Sequence, residues 1–194
     1  MKVYFASHPP KFILNIGSFA SNSFVSDNDY NIFLSRVVSS FVALQEQFSE
    51  FTFFPQTMLP FSFNQGGRSY HNNLTSTSRI TDFVGRIKSK ICLDISHSAL
   101  SCEYFKEPLS ELIISLRDSI GHFRVSDATA LNGEGAKIGM GHLDFQSIHQ
   151  ALATSKSHSI HSLIPEVWKG YLYQVNKFIR SLDKLQNILS EHVA

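Results

Sequence analysis

Cysteine is scarce, charge is sparse and nearly balanced, and no long apolar run occurs anywhere in the 194 residues. Each shortage removes a class of protein. Cys92 and Cys102 are the two cysteines. Cys92 lies inside an apolar stretch and reads as a small core residue, not a disulfide partner. A formal net charge of +1 gives no reason to expect nucleic acid or an anionic membrane as a partner. No stretch reaches the ~18 consecutive apolar residues of a membrane span. The start, Met1-Lys-Val-Tyr-Phe5, lacks the apolar core of a signal peptide. A cytoplasmic protein is therefore the expectation. Hydrophobic residues make up 43% and charged residues 17%, a globular balance, and the length suits one domain over residues 1–194.

What is present is a repeated pattern: apolar stretches that end in ionisable groups. Ile91-Cys-Leu-Asp94-Ile-Ser-His97 reads as a buried strand closing on an acid and a histidine three residues apart. Buried strands carry such groups only when a partner satisfies them. Gly121-His-Phe-Arg124-Val-Ser-Asp127 and Ser162-Leu-Ile-Pro-Glu166-Val-Trp168 repeat the pattern. Several strands delivering polar groups to one rim is the active-face arrangement of a β/α barrel.

The remaining chain agrees with that arrangement. Strands are predicted at Lys2–Ala6, Phe51–Phe54, Ile91–Leu93, His122–Val125 and Leu163–Ile164. Helices are predicted at Asp27–Glu50, Thr75–Lys88, Pro108–Asp118, Asp144 (as cap) to Ser155, and Leu172–His192. The first helix carries Phe33, Val37, Phe41, Leu44 and Phe48 at helical spacing. The last carries Val175, Phe178, Ile179, Leu182, Leu185 and Leu189. A glycine- and asparagine-rich loop spans Phe61–Asn73. Strict alternation argues for an α/β fold with a parallel sheet under helices. About five βα units are counted, three short of the eight-stranded closed barrel.

At this point the residues carry a resemblance. Pro55-Gln-Thr-Met-Leu-Pro60, Gly66-Gly-Arg-Ser-Tyr-His71-Asn72 and Cys92-Leu-Asp94-Ile-Ser-His97-Ser resemble the sugar phosphate isomerase/epimerase superfamily. This is the xylose isomerase-like TIM barrel that also includes the AP endonuclease family 2 enzymes. Gly133-Glu-Gly-Ala-Lys-Ile-Gly-Met-Gly-His-Leu-Asp144 and Ile164-Pro-Glu-Val-Trp-Lys-Gly170 agree. The wording is similar to a subgroup found beside sialic-acid-type nonulosonic acid synthases in surface-polysaccharide pathways. The resemblance runs from about Val3 to Leu185 but spans only the later strands of the family. It implies a partial TIM (β/α) barrel, the C-terminal portion with its N-terminal units missing.

By that resemblance Asp94, His97 and Glu166 are the metal ligands, for zinc, manganese or cobalt. Glu166 or Asp127 moves the proton, and His71, Gln56, Trp168 and Arg124 meet the substrate, with Arg124 holding an anionic group. The loop at Gly139 and Gly141 approaches the ligand with its backbone. Two positions depart from the pattern. Gln56 stands where the family usually has a glutamate, and Arg124 where many members have a histidine. A guanidinium has no free lone pair for a metal and repels a cation.

Plainer readings stand beside these. Asp94 caps the turn after its strand; Glu166 pairs with Arg124, in which case no metal sits between them; His71 is a surface histidine; Trp168 is a lid over the barrel mouth, a core plug or a stacking platform. His142, His149, His158 and His161 read as solvated. Arg79, Arg86, Lys88 and Lys90 read as a solvated helix face. Two functions follow: a metal-assisted sugar or sugar-phosphate isomerase or epimerase, or a noncatalytic barrel remnant binding a sugar acid or a partner protein. An open barrel also implies self-association or a partner chain that completes it.

Overall fold

A computed structural model describes residues 9–16, 19–61, 69–129, 133–153, 162–172 and 175–190. The expected strand at Lys2–Ala6, His158 and His161 lie outside these residues. The elements run β1 (Lys11–Leu14), β2 (Phe19–Ala20), α1 (Asp27–Gln47), β3 (Thr52–Pro55), β4 (Tyr70–His71), α2 (Thr77–Ile87), β5 (Ile91–Asp94), α3 (Ile95–Phe105), α4 (Leu109–Leu116), β6 (Ile120–Val125), α5 (Phe145–Ala153), β7 (Leu163–Pro165) and α6 (Asn176–Ser190).

Five parallel strands form the scaffold. β1 pairs with β3, and β5, β6 and β7 form a second parallel set. The two sets join where Gln56 bridges Cys92, with the Thr57 amide donating to the Cys92 carbonyl at 3.0 Å. At least one helix separates each parallel strand from the next, with β2 and β4 interposed after β1 and β3, so the chain is an α/β protein with the parallel strands of a β/α barrel. β2 and β4 form a small antiparallel pair at its rim.

The pleat sorts the side chains. Phe53, Leu93, Phe123 and Val125 point towards the helices and join one core with Leu34, Ile80, Phe83, Leu100 and Leu112. The alternate residues, Phe54, Gln56, Cys92, Asp94, His122 and Arg124, face the barrel interior. There Phe54 and His122 stack at 6.1 Å. A bulge keeps this sorting in register: Ile91 pairs with Ile120 but Cys92 pairs with His122, leaving Gly121 as the extra residue. A Cβ at Gly121 would lie 2.8 Å from the Lys90 Cβ, so only glycine fits.

Three elements differ from expectation. β1 lies directly after Pro9-Pro10, and its four residues are too short to show a period. In α1 the buried residues are Tyr30, Leu34 and Phe41, so the helix is rotated relative to the expected stripe, with Phe33, Val37, Leu44 and Phe48 only half-buried. α3 was not expected at all. Its buried residues include Ser96, Ser98 and Ser101, which break the apolar pattern. Ser101 satisfies itself on the Thr75 carbonyl at 2.7 Å and Ser98 shares a bond with Thr57 at 2.9 Å.

Arg79 is also not a solvated face. Its guanidinium lies 4.1 Å over the Tyr30 ring and donates to the Asn72 carbonyl. Asn72 and Asn73 are buried and stitch this corner: Asn72 accepts from the Val25 amide at 2.9 Å, and Asn73 donates to the Ile16 carbonyl at 3.1 Å.

Candidate functional site

Parallel strands all point the same way, so their C-terminal ends meet at one rim. Gln56 follows β3, Asp94 ends β5, Arg124 lies in β6 and Glu166 follows β7. His97 reaches the same rim from the first turn of α3.

Asp94 is fully buried and has two tasks. Its Oδ1 accepts from the His97 amide at 3.0 Å and the Ser96 hydroxyl at 3.1 Å, which caps α3. Its Oδ2 accepts from the Gln56 amide nitrogen at 3.1 Å. The plain capping reading of Asp94 is therefore present in the structure.

Gln56 turns its other end to Arg124, whose Nη1 donates to Gln56 Oε1 at 2.6 Å. Arg124 Nη2 forms an ion pair with Glu166 Oε1. The second oxygen of Glu166, Oε2, is buried and no donor among the described residues reaches it; the Asp94 carboxylate beside Glu166 bonds to it only when one of the two acids holds a proton. Burial and the neighbouring Asp94 carboxylate push the Glu166 pKa up to about 7, against the opposing pull of Arg124 and His97.

His97 is held from both sides. Nδ1 donates to the Thr57 carbonyl at 3.2 Å, and Nε2 pairs with Glu134 at 3.0 Å. Burial opposes the imidazolium, but Asp94 and then Glu134 outweigh it and lift the pKa to about 9. His71 behaves oppositely. It is buried, and its Nδ1 lies 2.7 Å from the Leu59 carbonyl, which only accepts. The proton therefore sits on Nδ1, and Nε2 is an acceptor with no partner among the described residues. Burial lowers the His71 pKa, which keeps the ring neutral.

A cavity of about 270 Å³ opens between these groups, lined among others by Gln56, His71, His97, Arg124, Glu134, Glu166 and Trp168. Trp168 is half exposed at the mouth, so it is not a core plug. Its amide donates to the Gly135 carbonyl at 2.8 Å, and its indole covers Gly135, where φ is +68° and a Cβ would meet the ring at 1.9 Å.

Of the residues expected at the site, Gln56, Asp94, His97, Arg124 and Glu166 form one bonded network, and His71 and Trp168 face the same cavity. Asp127 does not line it. Its buried carboxylate accepts from the amides of Ala128, Gly139, Gly141 and Leu143 at 2.9–3.1 Å. That saturation gives Asp127 a loop-holding role instead of the expected proton transfer. It also turns the Gly139 and Gly141 amides towards Asp127, not towards a ligand. Glu134 was missed. Its only sequence signal is an acid set between Gly133 and Gly135 in the loop that Asp127 organises.

The donor set does not fit a divalent metal. Asp94 has both oxygens engaged, the Glu166 carboxylate faces a guanidinium, and His97 Nε2 faces Glu134. Among the described residues no three His, Cys, Asp or Glu side chains gather as a metal site. The cation already standing among these groups is Arg124.

No protein-family model matches the chain, and no curated protein matches it. Solved structures do. A D-tagatose 3-epimerase-like protein superposes with a TM-score of 0.63 at 17% identity, covering 95% of this chain and 64% of that one. A probable 3-DHS dehydratase involved in petrobactin synthesis from Bacillus anthracis gives 0.62 at 14% identity, over 91% and 63%. A D-psicose 3-epimerase with D-tagatose from Clostridium cellulolyticum gives 0.61 at 13% identity, over 89% and 61%. The shared property is the fold: a β/α barrel, of which this chain spans less than two thirds of the length.

Proposed function

We propose that the rim cavity binds a carbohydrate and moves one of its protons, as an isomerase or epimerase does. The observation that carries this reading is Glu166: a half-buried carboxylate that lines the cavity beside a guanidinium and an imidazole–carboxylate pair. Its raised pKa suits a group that both takes and returns a proton near neutral pH. The barrel likeness to two sugar 3-epimerase structures supports the same chemistry.

In this reading the Glu166 carboxylate removes a proton from the carbon next to a carbonyl. The C–H electron pair becomes the C=C bond of an enediolate, and the carbonyl oxygen takes the negative charge. Returning the proton to the neighbouring carbon, while the hydroxyl proton passes to the former carbonyl oxygen, gives an isomer; an epimer forms only where a second acid, not Glu166, protonates the opposite face. His71 Nε2 accepts a substrate hydroxyl, and Trp168 closes the mouth. The resemblance to the nonulosonic-acid subgroup directs a first substrate screen to surface-polysaccharide sugars, in a cytoplasmic setting. No described helix is long and apolar enough to cross a membrane.

The test is proton exchange. Ketoses, aldoses and their phosphates are incubated with the protein in D2O, and deuterium at the carbon beside the carbonyl is read by NMR. Glu166→Gln is expected to lose the exchange by about 100-fold or more while ligand still binds. Binding without exchange in the native protein would leave the second reading, a noncatalytic sugar-binding remnant. The Arg124–Glu166 ion pair favours that alternative, because it partly neutralises the base.

A further inference from the structure

We propose that Arg124 is a built-in cation that replaces a divalent metal at this rim, with Gln56 as its necessary companion. The inference deepens the carbohydrate reading above and rests on it for the catalytic role of Arg124. The placement of the cation stands on geometry alone.

The argument begins with Gln56. Its amide oxygen accepts from a cation, Arg124, at 2.6 Å, and its amide nitrogen donates to an anion, Asp94, at 3.1 Å. Only an amide does both at once. A glutamate at 56 would set a second carboxylate against Asp94 at that distance, which is tolerable only with a cation between them. The converse holds at position 124. A neutral histidine there would leave Glu166 Oε1 without its ion-pair partner, beside Asp94. Gln56 and Arg124 are therefore a matched pair, and each makes sense only with the other.

The pairing agrees. Each group an incoming cation would need is already engaged: Glu166 Oε1 by Arg124, His97 Nε2 by Glu134, and both oxygens of Asp94 by Gln56 and the start of α3. A further double positive charge would have to enter against a fixed guanidinium that cannot deprotonate. That guanidinium lines the cavity and can donate hydrogen bonds to an oxygen that gains charge, which is the electrostatic service a metal performs.

The experiment titrates Co2+, Mn2+ and Zn2+ into chelator-treated protein, followed by calorimetry and by the Co2+ absorption spectrum. The native protein is expected to show no rim binding. The Gln56→Glu/Arg124→His variant exchanges the amide and guanidinium for a carboxylate and an imidazole. It is expected to bind one ion at least about 100-fold more tightly, the scale on which even outer groups tune metal sites. The single Arg124→His variant gives the same readout where the double variant does not fold. One equivalent of metal bound by the native protein and lost in Asp94→Asn would overturn the proposal. So would a folded double variant that gains no affinity. Proton exchange in D2O that persists under chelator supports the catalytic role of Arg124. If exchange is absent while the metal titrations come out as expected, the carbohydrate reading fails and the guanidinium placement survives.

Discussion

The central unit of the sheet and its last unit are built from similar residues and meet opposite fates. In β5 all four residues are buried, with Ile91, Cys92 and Leu93 at 0% exposure. In β7 Leu163 is 40% and Ile164 51% exposed. The helices repeat the contrast. α3, with three serines inward, is buried along most of its length, whereas Val175, Ile179 and Leu182 at the start of and along α6 face solvent. Burial here comes from having neighbours on both sides, not from composition. β5 lies between β3 and β6, while among the described residues β7 is paired only with β6.

Core truncations break the comparison most sharply. Leu93→Ala is expected to cost about 3–5 kcal/mol, because a fully buried leucine leaves a cavity in a packed interior. Ile164→Ala removes more hydrocarbon than Ile→Val, yet at a half-exposed edge it is expected to cost under about 1 kcal/mol. Urea denaturation of both variants checks the pair. Equal costs would mean that β7 is covered in solution.

The next effect is at Asp127, whose carboxylate organises the loop carrying Glu134 and Gly135. Asp127→Ala strands four backbone amides and is expected to cost about 2–3 kcal/mol. Limited proteolysis should then cut first within 133–143. Ligand binding should weaken with it, because Glu134 and the Trp168 latch lose their support.

How much of this was legible beforehand follows the same division. β5, β6 and α1 were readable because burial on the helix side gave them strong apolar runs or helical spacing. The rim set Gln56, Asp94, His97, Arg124 and Glu166 was readable because ionisable groups at the ends of apolar strands need partners. α3 was hidden because buried serines carry no apolar signal; their partners, Thr57 and Thr75, come from other units. The stripe of α6 has the spacing of a core face, yet only Leu185 of it is buried and Phe178 half-buried among the described residues. An amphipathic pattern says that a face wants cover, and only the neighbouring unit supplies it. Asp127 looked catalytic by position; only the loop geometry shows where its lone pairs go.

pH gives a smaller, graded effect confined to the rim. His97 has a folded pKa near 9, above its ordinary 6.5. Its contribution is fully present below about pH 6.5 and is lost as pH rises through 9. Glu166 is raised from 4.5 to about 7, so the folded state also holds that proton more tightly. Stability from Glu166 is greatest below about pH 4.5 and declines as pH rises through 7. Both groups therefore lower the melting temperature between about pH 5 and 9. Calorimetry across that window should show the fall, with the segment below pH 7 flattened in Glu166→Gln. A melting temperature that climbs over this range would overturn the rim electrostatics.

The smallest effect on stability falls at the outer edge, and it tests what covers β7. Among the described residues one side of β7 is unpaired, and its Leu163 and Ile164 side chains are half exposed, next to Trp168 and Tyr171, which are 50% and 69% exposed. Such an edge is a template for another strand, and proteins guard against it with charge. We propose self-association, or a partner chain completing the barrel, as the cover. Ile164→Lys places a charge where a paired strand would lie and should change the melting temperature of an isolated chain by less than about 2 °C. Light scattering is expected to give a mass above 21.9 kDa for the native protein and a monomeric mass for the variant. A native protein that is monomeric with a sharp thermal transition, unchanged by the lysine, would show that the edge stands open and that the two units differ by neighbours alone.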